Sequence, residues 1–105
     1  MENTIVIFAV SSLRDYGNGE VYFGTDGVFS SRPEAEKYIR QDIKEIVGEY
    51  EETYEAMYGG DRVPKTEEYE PDDFTDFCVE IDGNMFRWRI DTLMTDELAW
   101  KKEDK

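Results

Sequence analysis

Histidine is absent from the 105 residues, and there is one cysteine, Cys78. Without imidazole the chain lacks the usual general base at neutral pH and the commonest metal ligand. A lone thiol forms neither an internal disulfide nor a thiolate zinc cluster, which fits a reducing compartment. Phosphate-cradling glycine patterns are missing too, since Gly17-Asn18-Gly19 has the chemistry of a tight turn. Asp72, Asp73 and Asp76 match no EF-hand spacing and read as solvated or partner-facing. No apolar run approaches the roughly 20 residues that span a bilayer, and no basic stretch leads into an apolar one, so a cytoplasmic protein is expected. Cations are scarce: 12 Lys and Arg against 26 Asp and Glu leave a net charge of −14. That balance disfavours phosphate backbones and anionic membranes, and it points to a basic partner or to none. The reading is a protein without catalytic residues, cofactor or metal.

Fifteen aromatic residues and ordered apolar runs set the chain apart from acidic disordered sequences. The length suits one domain. Thr4 to Ser11 is apolar on both parities, Ile5, Ile7 and Ala9 against Val6, Phe8 and Val10, which predicts a central strand buried on both faces. Beyond the glycine turn, Glu20 to Gly24 predicts a returning strand, and Thr25-Asp26-Gly27 a second turn. Ser31, Pro33 and Glu34 form a helix start with a capping box. Apolar residues at 35, 38, 39, 43, 46, 47, 50, 54, 57 and 58 then share one side of a helix that Gly59-Gly60 stops. Gly48, on the polar side, is expected to weaken or kink it.

Residues 59–73 hold two prolines and no periodicity, and are expected to form a mobile acidic loop. Asp82-Gly83 marks a two-residue hairpin turn. The turn fixes a register: Ile81 opposite Asn84, Val79 opposite Phe86, Phe77 opposite Trp88, with Cys78 facing Arg87 and Asp76 facing Arg89 on the other side. Arg87 and Arg89 are expected to pair with Asp76, Glu80 and Asp91, and Glu36 with Arg40. Residues 95–105 read as a short helix capped by Thr95, or as a tail. The fold class is therefore α+β: a ββαββ antiparallel sheet packed on one long amphipathic helix.

The opening strand, the "GVFSS" turn, the Ala35-x-x-Tyr38-Ile39 helix start and the closing "FRWRIDTL" strand resemble a recurrent pattern in small, mostly uncharacterised phage and bacterial proteins. The resemblance covers about half the chain. It implies a fold and a mobile-element setting, and no reaction.

The acidity is local. Glu49 to Phe77 holds eleven carboxylates and two cations, nine of the fourteen net negative charges. Glu45, Glu49, Glu51, Glu52 and Glu55 occupy a window without a cation, so neighbours three and four apart repel by roughly 0.2–0.5 kcal/mol each. They also crowd the helix C-terminus, the unfavourable end for the macrodipole. Five charges over about 15 Å of helix approach the roughly 3.4 Å spacing of phosphates along one DNA strand. Glu67, Glu68, Glu70, Asp72 and Asp73 continue the charge, interleaved with Tyr69. Tyr54 and Tyr58 stand near the helix end, where they could reach an interface. These thirteen residues are the candidate partner-binding set. The expectation is a cytoplasmic protein that binds and inhibits a basic host protein or nucleoprotein complex, as anti-CRISPR and anti-restriction DNA mimics do. A small adaptor or regulatory domain whose acidity only confers solubility, homodimeric through a sheet edge or the helix end, is the alternative.

Overall fold

A computed structural model describes residues 4–96. The elements are β1 (Thr4–Asp15), β2 (Val21–Phe29), α1 (Arg32–Tyr58), β3 (Thr66–Tyr69), β4 (Phe77–Ile81) and β5 (Asn84–Asp96). All strand pairs are antiparallel, in the order β2-β1-β5-β4-β3. The class is α+β as expected, with one strand more than the ββαββ reading. The extra strand, β3, lies inside the expected loop and pairs Thr66 to Tyr69 with Ile81 to Cys78 at the sheet edge.

Helix α1 keeps its predicted bounds because its ends are chemically marked. Ser31 is extended, and its hydroxyl accepts from the Glu34 amide at 3.3 Å. The Glu34 carboxylate takes the Ser30 hydroxyl rather than the Ser31 amide that a full capping box would give it, so only the Ser31 half of the box is formed. At the far end Gly59 takes the left-handed conformation, φ 64°, and donates its N–H to the Glu55 carbonyl. Gly48 does not interrupt the helix. Ala35, Ile39 and Ile46 pack with Val10, Val79, Ile81, Phe86, Trp88 and Ile90 into one core between α1 and the sheet. The indole N–H of Trp88 donates to Asp42 at 3.0 Å, so the largest core side chain leaves no polar group unsatisfied.

The register of the β4–β5 hairpin is the predicted one from Phe77↔Trp88 to Ile81↔Asn84. Its Asp82-Gly83 turn has φ of 52° and 87°, both positive as a type I′ turn requires. Asp76 departs from the reading. Its carboxylate accepts from Arg32 and from the Ile90 amide, tying the helix start to β5, and Arg89 pairs with Asp91 instead. Glu36 likewise takes Arg32 rather than Arg40, whose guanidinium lies 5.3 Å from the centre of the Phe77 ring. Packing between the helix and the strands draws Asp76 and Arg40 away from the partners expected of them.

Three strand predictions are corrected. Thr25-Asp26-Gly27 is not a turn: β2 runs through it, and Asp26 is the extra residue of a bulge, its carboxylate accepting from Ser12 at 2.9 Å. Thr95 does not cap a helix, because β5 carries it and Asp96 along β1, opposite Ile5 and Thr4; residues 97–105 of the expected tail lie outside the described residues. Strand β1 is central, flanked by β2 and β5, but it is not buried on both faces. Even-numbered Phe8 and Val10 turn toward the helix, while Ile5 and its odd-numbered neighbours lie on a face that no element among the described residues covers.

The Cα radius of gyration is 17.8 Å, against about 13 Å for a compact chain of this size. The cause is parallel length: a 27-residue helix and 12- and 13-residue strands, each about 40 Å long, lie along one axis. The result is an elongated body with two broad flanks, one acidic and helical, the other an open sheet.

Candidate partner-binding surface

The thirteen candidate residues fall on three separate surfaces. Glu45, Glu49 and Glu52, spaced four and three apart, stand in one row with Gln41, Lys44 and Gly48. All three carboxylates are exposed; Glu55 is exposed next to Glu52, whereas Glu51, about 100° around the helix from Glu52, is exposed on the other flank. The ion pairs among the described residues are Arg32–Glu36, Arg32–Asp76 and Arg89–Asp91, so none reaches this ridge. The last turn of α1 carries no basic residue. Lys44, just outside the cation-free window, borders the row, and glycine at 48 leaves the groove beside it open.

Glu68 and Glu70 belong to a second surface. They line a groove between β3 and the first half of α1, opposite Arg32, Glu36 and Arg40. Here acidic and basic groups alternate, which leaves less uncompensated charge than on the ridge. Helical geometry of about 100° per residue carries Glu45 and Glu49 to the far side of the helix from this groove. The ridge and the β3 carboxylates are therefore two flanks and not one continuous acid face.

The third set is bound up with structure. The Tyr69 hydroxyl donates to Glu80, and this bond together with nearby Glu67 pushes its pKa up to about 12. Asp72 turns its carboxylate back onto the amides of Phe74 and Thr75, both at 2.8 Å, forming an Asx-type cap of its own loop. Asp73 is exposed next to it. Tyr54 donates to Asp82 at 2.6 Å, which raises its pKa through the hydrogen bond to the carboxylate. Tyr58 packs on Tyr54 with ring centres 5.4 Å apart, and Arg62 lies 4.8 Å over its ring. Met57, 65% exposed, completes an apolar tip at the end of the helix.

Asp82 was not among the candidates, although it joins three elements. One oxygen accepts from Tyr54, the other from the Lys65 amide, and its own amide donates to the Lys65 carbonyl. Its partners are 17 and 28 residues away, so the only local signal was the turn itself. Among the described residues no three His, Cys, Asp or Glu side chains converge on a point suited to a metal ion. Asp72 and Asp76 spend their carboxylates on backbone amides. Cys78 is buried, and burial raises its thiol pKa although Arg87 opposes the shift. No described helix is long and apolar enough to cross a membrane.

Compared with known proteins, the chain matches no family model, no curated sequence and no solved structure.

Proposed function

We propose that this protein is a non-enzymatic binder that lays the Glu45, Glu49 and Glu52 row, with Glu55 next to it, into a Lys/Arg-lined channel of a nucleic-acid-handling protein and blocks it, in the manner of anti-CRISPR and anti-restriction DNA mimics. The observation that carries this is an exposed row of helical carboxylates with no ion-pair partner among the described residues, at the end of the helix where negative charge is least favourable. Nothing in the stability of the helix calls for it. Within the row the carboxylates step about 5 Å along the axis, wider than the roughly 3.4 Å between phosphates of one DNA strand, and counting Glu51 and Glu55 around the helix brings the density to about one charge per 3 Å. Tyr58 and Met57 at the tip supply shape-dependent contact next to the charge. A phage or mobile-element protein acting in the host cytoplasm fits the sequence resemblance.

The mechanism is electrostatic, so the complex should form fast and weaken steeply with salt. The test is capture from a bacterial lysate at low and high salt, followed by elution with duplex DNA. A DNA-displaceable basic protein held by the native chain and lost with Glu45→Lys, Glu49→Lys and Glu52→Lys together is the expected result. Capture that survives both salt and the triple reversal would refute the reading. The second reading, an adaptor that works through protein contacts with acidity only for solubility, is favoured by the open sheet face and predicts capture indifferent to the ridge.

A further inference from the structure

The sequence and the structure disagree about β1, and the disagreement is informative. Apolar residues on both parities are the pattern of a strand covered on two sides. Among the described residues of one chain this side is uncovered: Ile5 is 43% exposed, Leu93 47%, Val28 56% and Phe23 73%. These side chains share one face because strand pairing aligns them, Ala9 with Val28 and Asp91, Ile7 with Leu93, and Leu13 with Phe23 and Arg87. We propose that this face is the interface of a twofold homodimer in which two sheets stack into a sandwich.

Area, charge and internal symmetry each favour a second copy as the occupant. At about 4.8 Å per strand and about 3.3 Å per residue, strands of 12, 9, 4, 5 and 13 residues present about 700 Å², a little under the roughly 800 Å² per partner of a standard stable interface. The face also lies on the side of the sheet away from the ridge. Stacked sheets about 10 Å apart, each backed by a helix about 10 Å thick, hold the two ridges about 30 Å from each other, well beyond a Debye length of about 8 Å. Association through the helices would instead press like charges together.

The symmetry is specific. Ser11 pairs with Arg89 near the middle of the face, and Asp91 and Arg87 lie two residues to either side on β5. A twofold axis crossing the strands at that row sets Asp91 of one copy over Arg87 of the other, and the reverse. The same operation sets small Ala9 over Leu13 and Val28 over Phe23, and brings Arg89 near its own copy at the axis, where each guanidinium is held by Asp91 of its own chain. A self-complementary patch of this kind is what an isologous interface requires. Asp91 already accepts from Arg89 through one oxygen, which leaves the second for the partner's guanidinium.

Light scattering and sedimentation on the intact chain should give twice the 12.3 kDa chain mass. Leu13→Glu should give a monomer whose circular dichroism remains native. Arg87→Asp and Asp91→Arg should each be monomeric alone, and mixing them should restore a dimer, because both cross-copy pairs become opposite in sign. A monomeric native chain, a single variant that stays dimeric, or a mixture that stays monomeric would overturn the proposal, assigning the face to other contacts or the association to a sheet edge. Ridge reversal should leave the dimer intact, so this inference and the functional one fail separately.

Discussion

Reversing Glu49 to lysine should stabilise the fold, contrary to the usual outcome of changing a native residue. Glu49 has Glu45 four residues before it and Glu52 three after, both exposed and free of ion pairs among the described residues. Each contact changes from a repulsion to an attraction of roughly 0.2–0.5 kcal/mol, so the two together are worth about 1 kcal/mol or somewhat more. A glutamate at 45 with a lysine four residues after it also has the favourable order along the helix. Intrinsic propensity is nearly equal for the two residue types and adds little. The Thr53 hydroxyl bonds to the residue 49 carbonyl, which the substitution leaves in place. A gain of about 1 kcal/mol raises the midpoint of a domain this size by roughly 4–8 °C. Thermal unfolding followed by circular dichroism at low salt should show the rise, Glu49→Gln should give about half of it, and molar salt should remove most of it. An unchanged or lower midpoint at low salt would mean that the ridge does not strain the helix. The ridge would then carry no stability cost for binding to explain.

Other consequences follow from the contacts that hold the elements together. Tyr38 and Tyr50 are raised above 10 chiefly by burial, Tyr54 by its bond to Asp82, and Tyr69 to about 12 by Glu80. A phenol that keeps its proton longer in the folded state stabilises it fully below pH 10, and that contribution is lost as pH rises from 10 toward 12. The ultraviolet titration of the native protein should therefore run later than that of the urea-unfolded chain, and Glu80→Gln should bring the last step earlier; coincident curves would contradict the Tyr69–Glu80 bond. Asp76→Ala removes the acceptor of the part-buried Ile90 amide and the partner of Arg32, and should cost about 1–3 kcal/mol in urea unfolding. Ile39→Ala, at a fully buried position facing the sheet, should cost about 2–5 kcal/mol with little change in the urea slope.

The elements that could be read from sequence are those whose determinants are local. Ser31, Glu34 and Gly59 mark α1 at both ends, and Asp82-Gly83 sets the β4–β5 register because a two-residue turn leaves no slack. Strand β3 escaped because "TEEY" has no apolar alternation: it is an edge strand, exposed throughout and held by backbone bonds to β4. The bulge at Asp26 looked like a turn because glycine and aspartate serve both purposes. Asp76 and Asp82 take partners from 14 to 44 residues away, which no window on the sequence can rank. At the candidate site the ridge was legible, since helical spacing alone places Glu45, Glu49 and Glu52 together. The division of the remaining carboxylates was not. It depends on β3 folding beside Arg32 and Arg40, and on Asp72 turning onto its own loop.

If the ridge serves binding, helix stability and partner capture depend on the same side chains in opposite senses, and one variant reports on both. Glu49→Lys alone is the cleanest probe, because reversing Glu45, Glu49 and Glu52 together replaces repulsion among carboxylates with repulsion among lysines. The account predicts that this single variant melts higher than the native protein at low salt and holds its DNA-displaceable basic partner more weakly. A variant that melts higher and captures as well as the native chain would contradict it.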